Sequence, residues 1–142
     1  MRTVIKNLLD GRRKMKKRFD AMLQLEPKET EAVNEDERFL QDCISYIRDN
    51  IAEPDLTVED MAKKMNMSRT SLHRKVKIMT GSSPVELIKT IRMKQAALLL
   101  SQTNKTISEI AYEVGYSSPA YFSSAFSAYW KQFPSQYRKN RQ

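Results

Sequence analysis

The chain of 142 residues has one cysteine, one histidine, one tryptophan, three glycines and five prolines. Its single thiol, Cys43, leaves no internal disulfide to form, which fits a reducing compartment. So little glycine and proline argues for helices and against a turn-rich β fold. Nothing pairs the lone histidine at metal-ligand spacing, no glycine-rich loop is present to cradle a phosphate, and no nucleophile stands beside a base. Neither an enzyme nor a cofactor or metal is therefore expected. No apolar run approaches the ~18 residues of a membrane helix, and the N-terminus lacks the apolar core of a signal peptide. The expectation is a soluble, cytoplasmic, mainly helical protein that makes no membrane contact through this segment.

What the chain does have is charge, unevenly placed. The net charge is +8, with 40% hydrophobic and 30% charged residues. Residues 35–60 hold nine acids against two bases, whereas residues 63–94 hold nine bases against one acid, Glu86. Such separation is either the footprint of a polyanion or a basic, solvated surface with no partner. The stretch "SRTSLHRKVKIMTG" (68–81) sharpens the choice. Leu72, Val76 and Met79 form one apolar stripe at helical spacing. The other side offers Arg69, Thr70, His73, Arg74 and Lys77 and no acid, where a solvated helix face usually mixes both signs.

Residues 1–24 read as a connector helix. Ile5, Leu8, Arg12, Met15, Phe19 and Met22 alternate at spacings of three and four, the seam of a short coiled coil. Arg12 interrupts it, and Gly11 costs about 1 kcal/mol relative to alanine. The competing reading is a helix that packs on a neighbouring domain. A linker, "LEPKETEAVN", closes this region at residue 34. A second helix is expected from about Glu37 to Ile51, with Phe39, Leu40, Cys43, Ile44 and Ile47 inward and Cys43 a buried structural thiol.

The rest of the chain repeats itself. "TVEDMAKKMNMSRTSLHRKVK" (57–77) parallels "TISEIAYEVGYSSPAYFSSAFS" (106–127). Thr57 and Thr106 sit at N-caps, with Asp60 and Glu109 three residues on in capping-box register. Met61-Ala62 matches Ile110-Ala111, and Asn66 matches Gly115, both tolerant of the left-handed backbone that ends a helix. Ser68 is paired with Ser117. After one extra residue in the second copy, Leu72 and Val76 match Phe122 and Phe126. Each copy is a helix, a tight turn and a second helix, over about 57–80 and 106–130. This is the pattern that presents a second helix to the DNA major groove. Between the copies Ser83 and Pro84 start a helix apolar on several sides, about 27 Å long at 1.5 Å per residue. That length approaches the ~34 Å repeat of major grooves on one face of DNA. "FPSQYRK" closes the chain as a short helix from Pro134. In it Tyr137 points inward, and Arg138 either caps a helix or meets phosphate.

These residues resemble the AraC/XylS family of bacterial transcription regulators over about 37–140. The signature is "ISEIAYEVGYSSPAYFSSAFSAYWKQFPSQYR", supported by "MAKKMNMSRTSLHRKVKIMTGSSPVELIKTIRMKQAALLL". The resemblance implies an all-α domain of about seven helices over 35–142. Two helix-turn-helix subdomains are joined by a long central helix and preceded by the connector helix of 1–34. It also implies control of transcription initiation with both recognition helices in neighbouring major grooves. The base-reading positions then fall on Thr70, His73 and Arg74 in the first unit and near Ala120, Tyr121, Ser123 and Ser124 in the second. The chain departs from the family at Ser124, where many members have arginine, at Lys131, a usual glycine, and at Phe133, a usual Ser or Thr cap. "VIKNLLDGRRKMKKRF" resembles the segment joining a phosphoacceptor receiver to such an output domain. The chain is thus expected to be the C-terminal part of a hybrid two-component regulator, whose anchoring in a membrane is left open. Ile5, Leu8, Met15, Phe19 and Met22 are then the expected homodimer seam.

Within this reading Arg74 is the candidate for guanine, because a guanidinium donates two parallel hydrogen bonds to O6 and N7. His73 reads a base or phosphate through its imidazole, and Thr70 meets a thymine methyl or a phosphate. Tyr121 covers a sugar or base edge or packs beside Phe122, and Ser123 and Ser124 permit close or water-mediated contact. Ser68, Arg69, Lys75, Lys77, Ser117 and Arg138 are expected at phosphates, helped by backbone N–H groups. Double-stranded DNA is the expected partner, with RNA polymerase a further one through the acidic 35–60 face. The alternatives are a protein-interaction helical module and a nonspecific nucleoid-type DNA binder. DNA affinity falls steeply with salt, whereas an apolar protein interface barely responds.

Overall fold

The structure, a computed structural model, describes residues 34–141. All regular structure among them is helical: α1 (Glu35–Asp49), α2 (Val58–Lys64), α3 (Arg69–Thr80), α4 (Pro84–Gln102), α5 (Ile107–Glu113), α6 (Pro119–Trp130) and α7 (Pro134–Arg141). The heptad residues of the expected connector lie outside the described residues. The described chain forms two compact units, residues 34–47 with 57–87 and residues 48–56 with 88–141.

In the first unit α1 begins at Glu35, two residues earlier than its apolar stripe suggests. The Asn34 side chain accepts from the Glu37 N–H at 2.8 Å, and Glu35, Asp36 and Glu37 sit in the first turn. There the unpaired N–H groups and the helix dipole favour negative charge. The expected stripe of Phe39, Leu40, Cys43, Ile44 and Ile47 is buried. Burial removes the Cys43 thiolate from water and pushes its pKa from 9.0 up to about 12, with the Asp42 carboxylate adding to the rise. The folded thiol therefore holds its proton more tightly than the unfolded one. Its contribution to stability is complete below about pH 9 and is lost as pH rises towards 12. Cys43 is expected to resist alkylation at pH 8 until urea opens the first unit. Labelling in native buffer at the rate of a free thiol would refute this.

The two helix-turn-helix pairs close with the same bonds. Thr57 Oγ1 accepts from Asp60 N at 3.1 Å and Thr106 Oγ1 from Glu109 N at 3.0 Å. Met67 N donates to Ala62 O and Tyr116 N to Ala111 O, both at 2.9 Å. Ala62 and Ala111 are buried under the turns. Only the second copy completes the capping box, Glu109 Oε1 accepting from Thr106 N at 3.0 Å. The two Thr106 bonds hold the Glu109 carboxyl below the usual range. Asp60, one methylene shorter, makes no such return bond among the described residues.

One equivalence read from sequence shifts. Ser68 caps α3 by accepting from Ser71 N at 3.1 Å, and the residue that does this for α6 is Ser118, which accepts from Tyr121 N at 3.1 Å. Ser117 is the inserted residue. Pro119 at the first helical position disfavours helical backbone in the residue before it, and Ser118 is extended (φ −147°, ψ 146°) as an N-cap requires.

The helix ends also pair. α3 stops at left-handed Gly81 (φ 78°), whose N–H reaches Lys77 O, and α6 stops at Lys131 (φ 62°), whose N–H reaches Ser127 O. A side chain in this region costs about 1–2 kcal/mol relative to glycine, part of which the freer unfolded glycine offsets. Lys131→Gly is expected to stabilise the second unit by about 0.5–1 kcal/mol, read as a higher urea midpoint at unchanged slope. A lower midpoint would show that the lysine side chain is needed there. Where Phe133 offers no cap, Gln136 Oε1 accepts from its N–H at 3.3 Å.

The second unit buries Met93, Ala96, Ala97, Leu100, Ile110, Ala111, Val114, Phe122, Phe126 and Tyr137 in one cluster. The Phe126 and Tyr137 rings meet edge to face at 5.4 Å, and the half-buried Trp130 donates Nε1–H to Met93 O at 3.0 Å. α4 shows no single apolar stripe because its burial changes face. Leu87, Ile88 and Ile91 are buried on one side, and Met93, Ala96, Ala97 and Leu100 on the opposite one.

Candidate nucleic-acid interface

α3 presents Thr70, His73, Arg74 and Lys77 to solvent. Together with Arg69 and Ile78 they line one shallow concavity. The helix contains no acid. The side chains of Arg74, His73 and Lys77 make no hydrogen bond or ion pair among the described residues, so their donors are available. Leu72, Val76 and Met79 hold the opposite side in the core.

The other cations of α3 are engaged within the first unit. Lys75 lies beside the buried stripe, with Nζ 4.4 Å over the Phe39 ring and 3.7 Å from Asp36 Oδ1 on α1. Its ammonium is partly engaged by α1, because residue 75 flanks Val76 on the side that α1 covers. Arg69 Nη1 pairs with Glu59 Oε1, both side chains more than half exposed. Such a surface pair is worth well under about 1 kcal/mol and yields readily to a phosphate.

α6 differs in kind: no residue from Pro119 to Trp130 carries a charge. Ala120, Tyr121 and Ser124 are exposed, Ser123 is half-buried, and Ser117 is exposed before the cap. Tyr121 is 67% exposed. Its ring rests 5.8 Å from Tyr116, which in turn meets buried Phe122 edge-on at 5.6 Å. Burial raises the Tyr116 phenol pKa, partly opposed by the nearby Arg92 guanidinium. The packing expected of Tyr121 is beside Phe122; the ring it meets in the structure is Tyr116.

The turn before α6 is closely confined. Gly115 adopts φ +90°, and a Cβ there would lie 2.3 Å from Ile51 O and 2.8 Å from the Arg92 guanidinium. That guanidinium donates from Nη2 to Glu53 O at 2.7 Å, and burial lowers its pKa.

Of the two roles read for Arg138, the structure shows the capping one. Nε donates to Leu100 O at 3.0 Å and Nη2 to Thr103 O at 3.4 Å, satisfying carbonyls at the end of α4. Sequence reasoning missed Ile78. It is 70% exposed beside Lys77 in the same concavity, and its departure from the 72–76–79 stripe is the signal that marks it.

A helix-turn-helix domain family matches residues 61–140, more than half of the chain. The solved regulator with an AraC-type DNA-binding domain from Chromobacterium violaceum is similar at 32% identity and a TM-score of 0.68. That similarity covers 74% of this chain and 93% of that one. The chain belongs to the AraC-type helix-turn-helix family. Members of this family bind DNA in a sequence-specific way and regulate transcription. The C-terminal domain of AraT, a response regulator from Geobacillus stearothermophilus, is similar at 38% identity and a TM-score of 0.68, over 73% of this chain and 86% of that one. Histidine kinase P4 of Formosa agariphila is 37% identical over 134 residues, which are 94% of this chain and 10% of the relative. The chain spans about a tenth to two-fifths of the length of the first curated relatives it matches. Among the described residues, no helix is long and apolar enough to cross a membrane.

Proposed function

We propose that this chain is the DNA-reading output segment of a phosphorelay regulator. It binds a specific double-stranded site in the bacterial cytoplasm, with α3 and α6 in successive major grooves, and controls transcription initiation there. The observation that carries the reading is the acid-free face of α3, where Thr70, His73, Arg74 and Lys77 stand exposed. Ser68, Arg69, Lys77 and Ser117 are the phosphate contacts. The phosphorelay context is supported by similarity to the output domain of a response regulator and to part of a histidine kinase. Homodimerisation through Ile5, Leu8, Met15, Phe19 and Met22, and contact of the acidic helix α1 with RNA polymerase, complete the proposal.

Selection of random duplex DNA on this chain tests it. The winner is then compared with scrambled DNA at 50 and 200 mM salt. A recovered motif whose binding weakens steeply with salt supports a specific reader. Salt-steep binding with no motif identifies a nonspecific binder, and binding to no DNA overturns the reading.

A further inference from the structure

The two recognition helices carry different chemistry. Each base offers the major groove its own pattern. The strongly discriminating hydrogen-bonded pairings use a bidentate cation for guanine, an Asn or Gln for adenine and a carboxylate for cytosine, whereas a serine hydroxyl bonds to several bases and discriminates little. α6 has none of the strongly discriminating groups between Pro119 and Trp130. What it exposes is the Ala120 methyl, the Tyr121 ring and the Ser124 hydroxyl, with Ser123 half-exposed. The one base feature that an apolar side chain reads is the 5-methyl group of thymine. The Tyr121 ring is held for such a contact. Its backbone N–H is fixed by the Ser118 cap, and its ring packs tilted at 45° beside Tyr116, itself lodged against Phe122.

We infer that α6 reads thymine 5-methyl groups, with Tyr121 and Ala120 as the specificity-determining residues, while hydrogen-bonded readout belongs to α3. This rests on the DNA-binding reading above and names the base chemistry of its second half-site. The target is a composite of a guanine-containing block met by Arg74 and a thymine-bearing block met by α6. Because α6 carries no charge, the second block adds sequence discrimination and almost none of the salt dependence.

The test uses the selected duplex and this full chain. The block that stays sharp when selection is repeated with Arg74→Ala belongs to α6. Each of its thymines is replaced singly by deoxyuridine, which removes only the methyl group. At one or more positions affinity is expected to fall about fourfold per methyl, as for one buried methylene, with the salt slope unchanged. The exposed-site variant Tyr121→Ala, checked for native circular dichroism, is expected to bind thymine and deoxyuridine duplexes within about twofold of each other. Deoxyuridine without effect at every position, or an undiminished deoxyuridine penalty in both Tyr121→Ala and Ala120→Gly, overturns the inference and leaves the DNA-binding reading intact. A motif with a single block, lost in Arg74→Ala, does the same. Absence of any DNA binding overturns both.

Discussion

Gly115→Ala is expected to destabilise the second unit by about 3 kcal/mol or more. Two costs combine. The backbone at φ +90° is left-handed, a conformation that costs an L side chain about 1–2 kcal/mol. The added methyl would also stand 2.3 Å from the Ile51 carbonyl oxygen and 2.8 Å from Arg92, so something must move. Overpacking of this kind costs about 1–3 kcal/mol. The Arg92 tip can shift, but only by straining its 2.7 Å bond to Glu53 O. Backbone at Ile51 cannot yield by changing a rotamer. The measurement is urea unfolding followed by the single tryptophan, Trp130, which packs on Phe126 and Tyr137 and so reports on this unit. The matched control is Asn66→Gly in the first copy. Asn66 is also left-handed, at φ 56°, and its replacement is expected to change stability by less than about 1 kcal/mol. If Gly115→Ala loses less than about 1 kcal/mol, the turn relaxes away from Ile51 and the argument fails.

Arg74→Ala is expected to weaken binding to the selected site about 5- to 150-fold, the value of a bidentate pair with guanine. Binding to scrambled DNA should change far less. Loss of one cation should also lower the salt slope by about one phosphate equivalent if the guanidinium touches the backbone as well. Arg74→Lys separates the two contributions. It keeps the charge but loses the planar fork, so specificity should fall while the salt slope persists. Lys75→Ala is the internal comparison. Its ammonium is held by Phe39 and Asp36, so DNA affinity should move little. Equal losses from Arg74→Ala on every sequence would make Arg74 a backbone contact and move base reading to His73 and Thr70.

Much of this architecture was legible because helix starts and stops are local. Thr57, Thr106 and Gly81 announce their roles through groups within four residues, and the structure places each where its sequence context suggests. The pairing of Ser68 with Ser117 failed for an equally local reason, since Pro119 moves the cap to Ser118. The fate of individual cations was not legible. Lys75, Lys77 and Arg74 look alike in sequence. Only the packing of α1 against one side of α3 removes Lys75 from the exposed set, and only the end of α4 claims Arg138.

The sequence by itself determined the helices, their caps, the duplicated helix-turn-helix unit, an α3 without acids and an α6 without charge. These follow from hydrogen bonds that span a single helical turn and from composition, which folding does not alter. The tertiary structure alone decided which donors remain free for DNA. It also decided that Gly115 is irreplaceable where Asn66, in the same turn of the first copy, is not. Both outcomes depend on Asp36, Leu100, Ile51 and Arg92, groups brought into contact by the fold from distant parts of the chain.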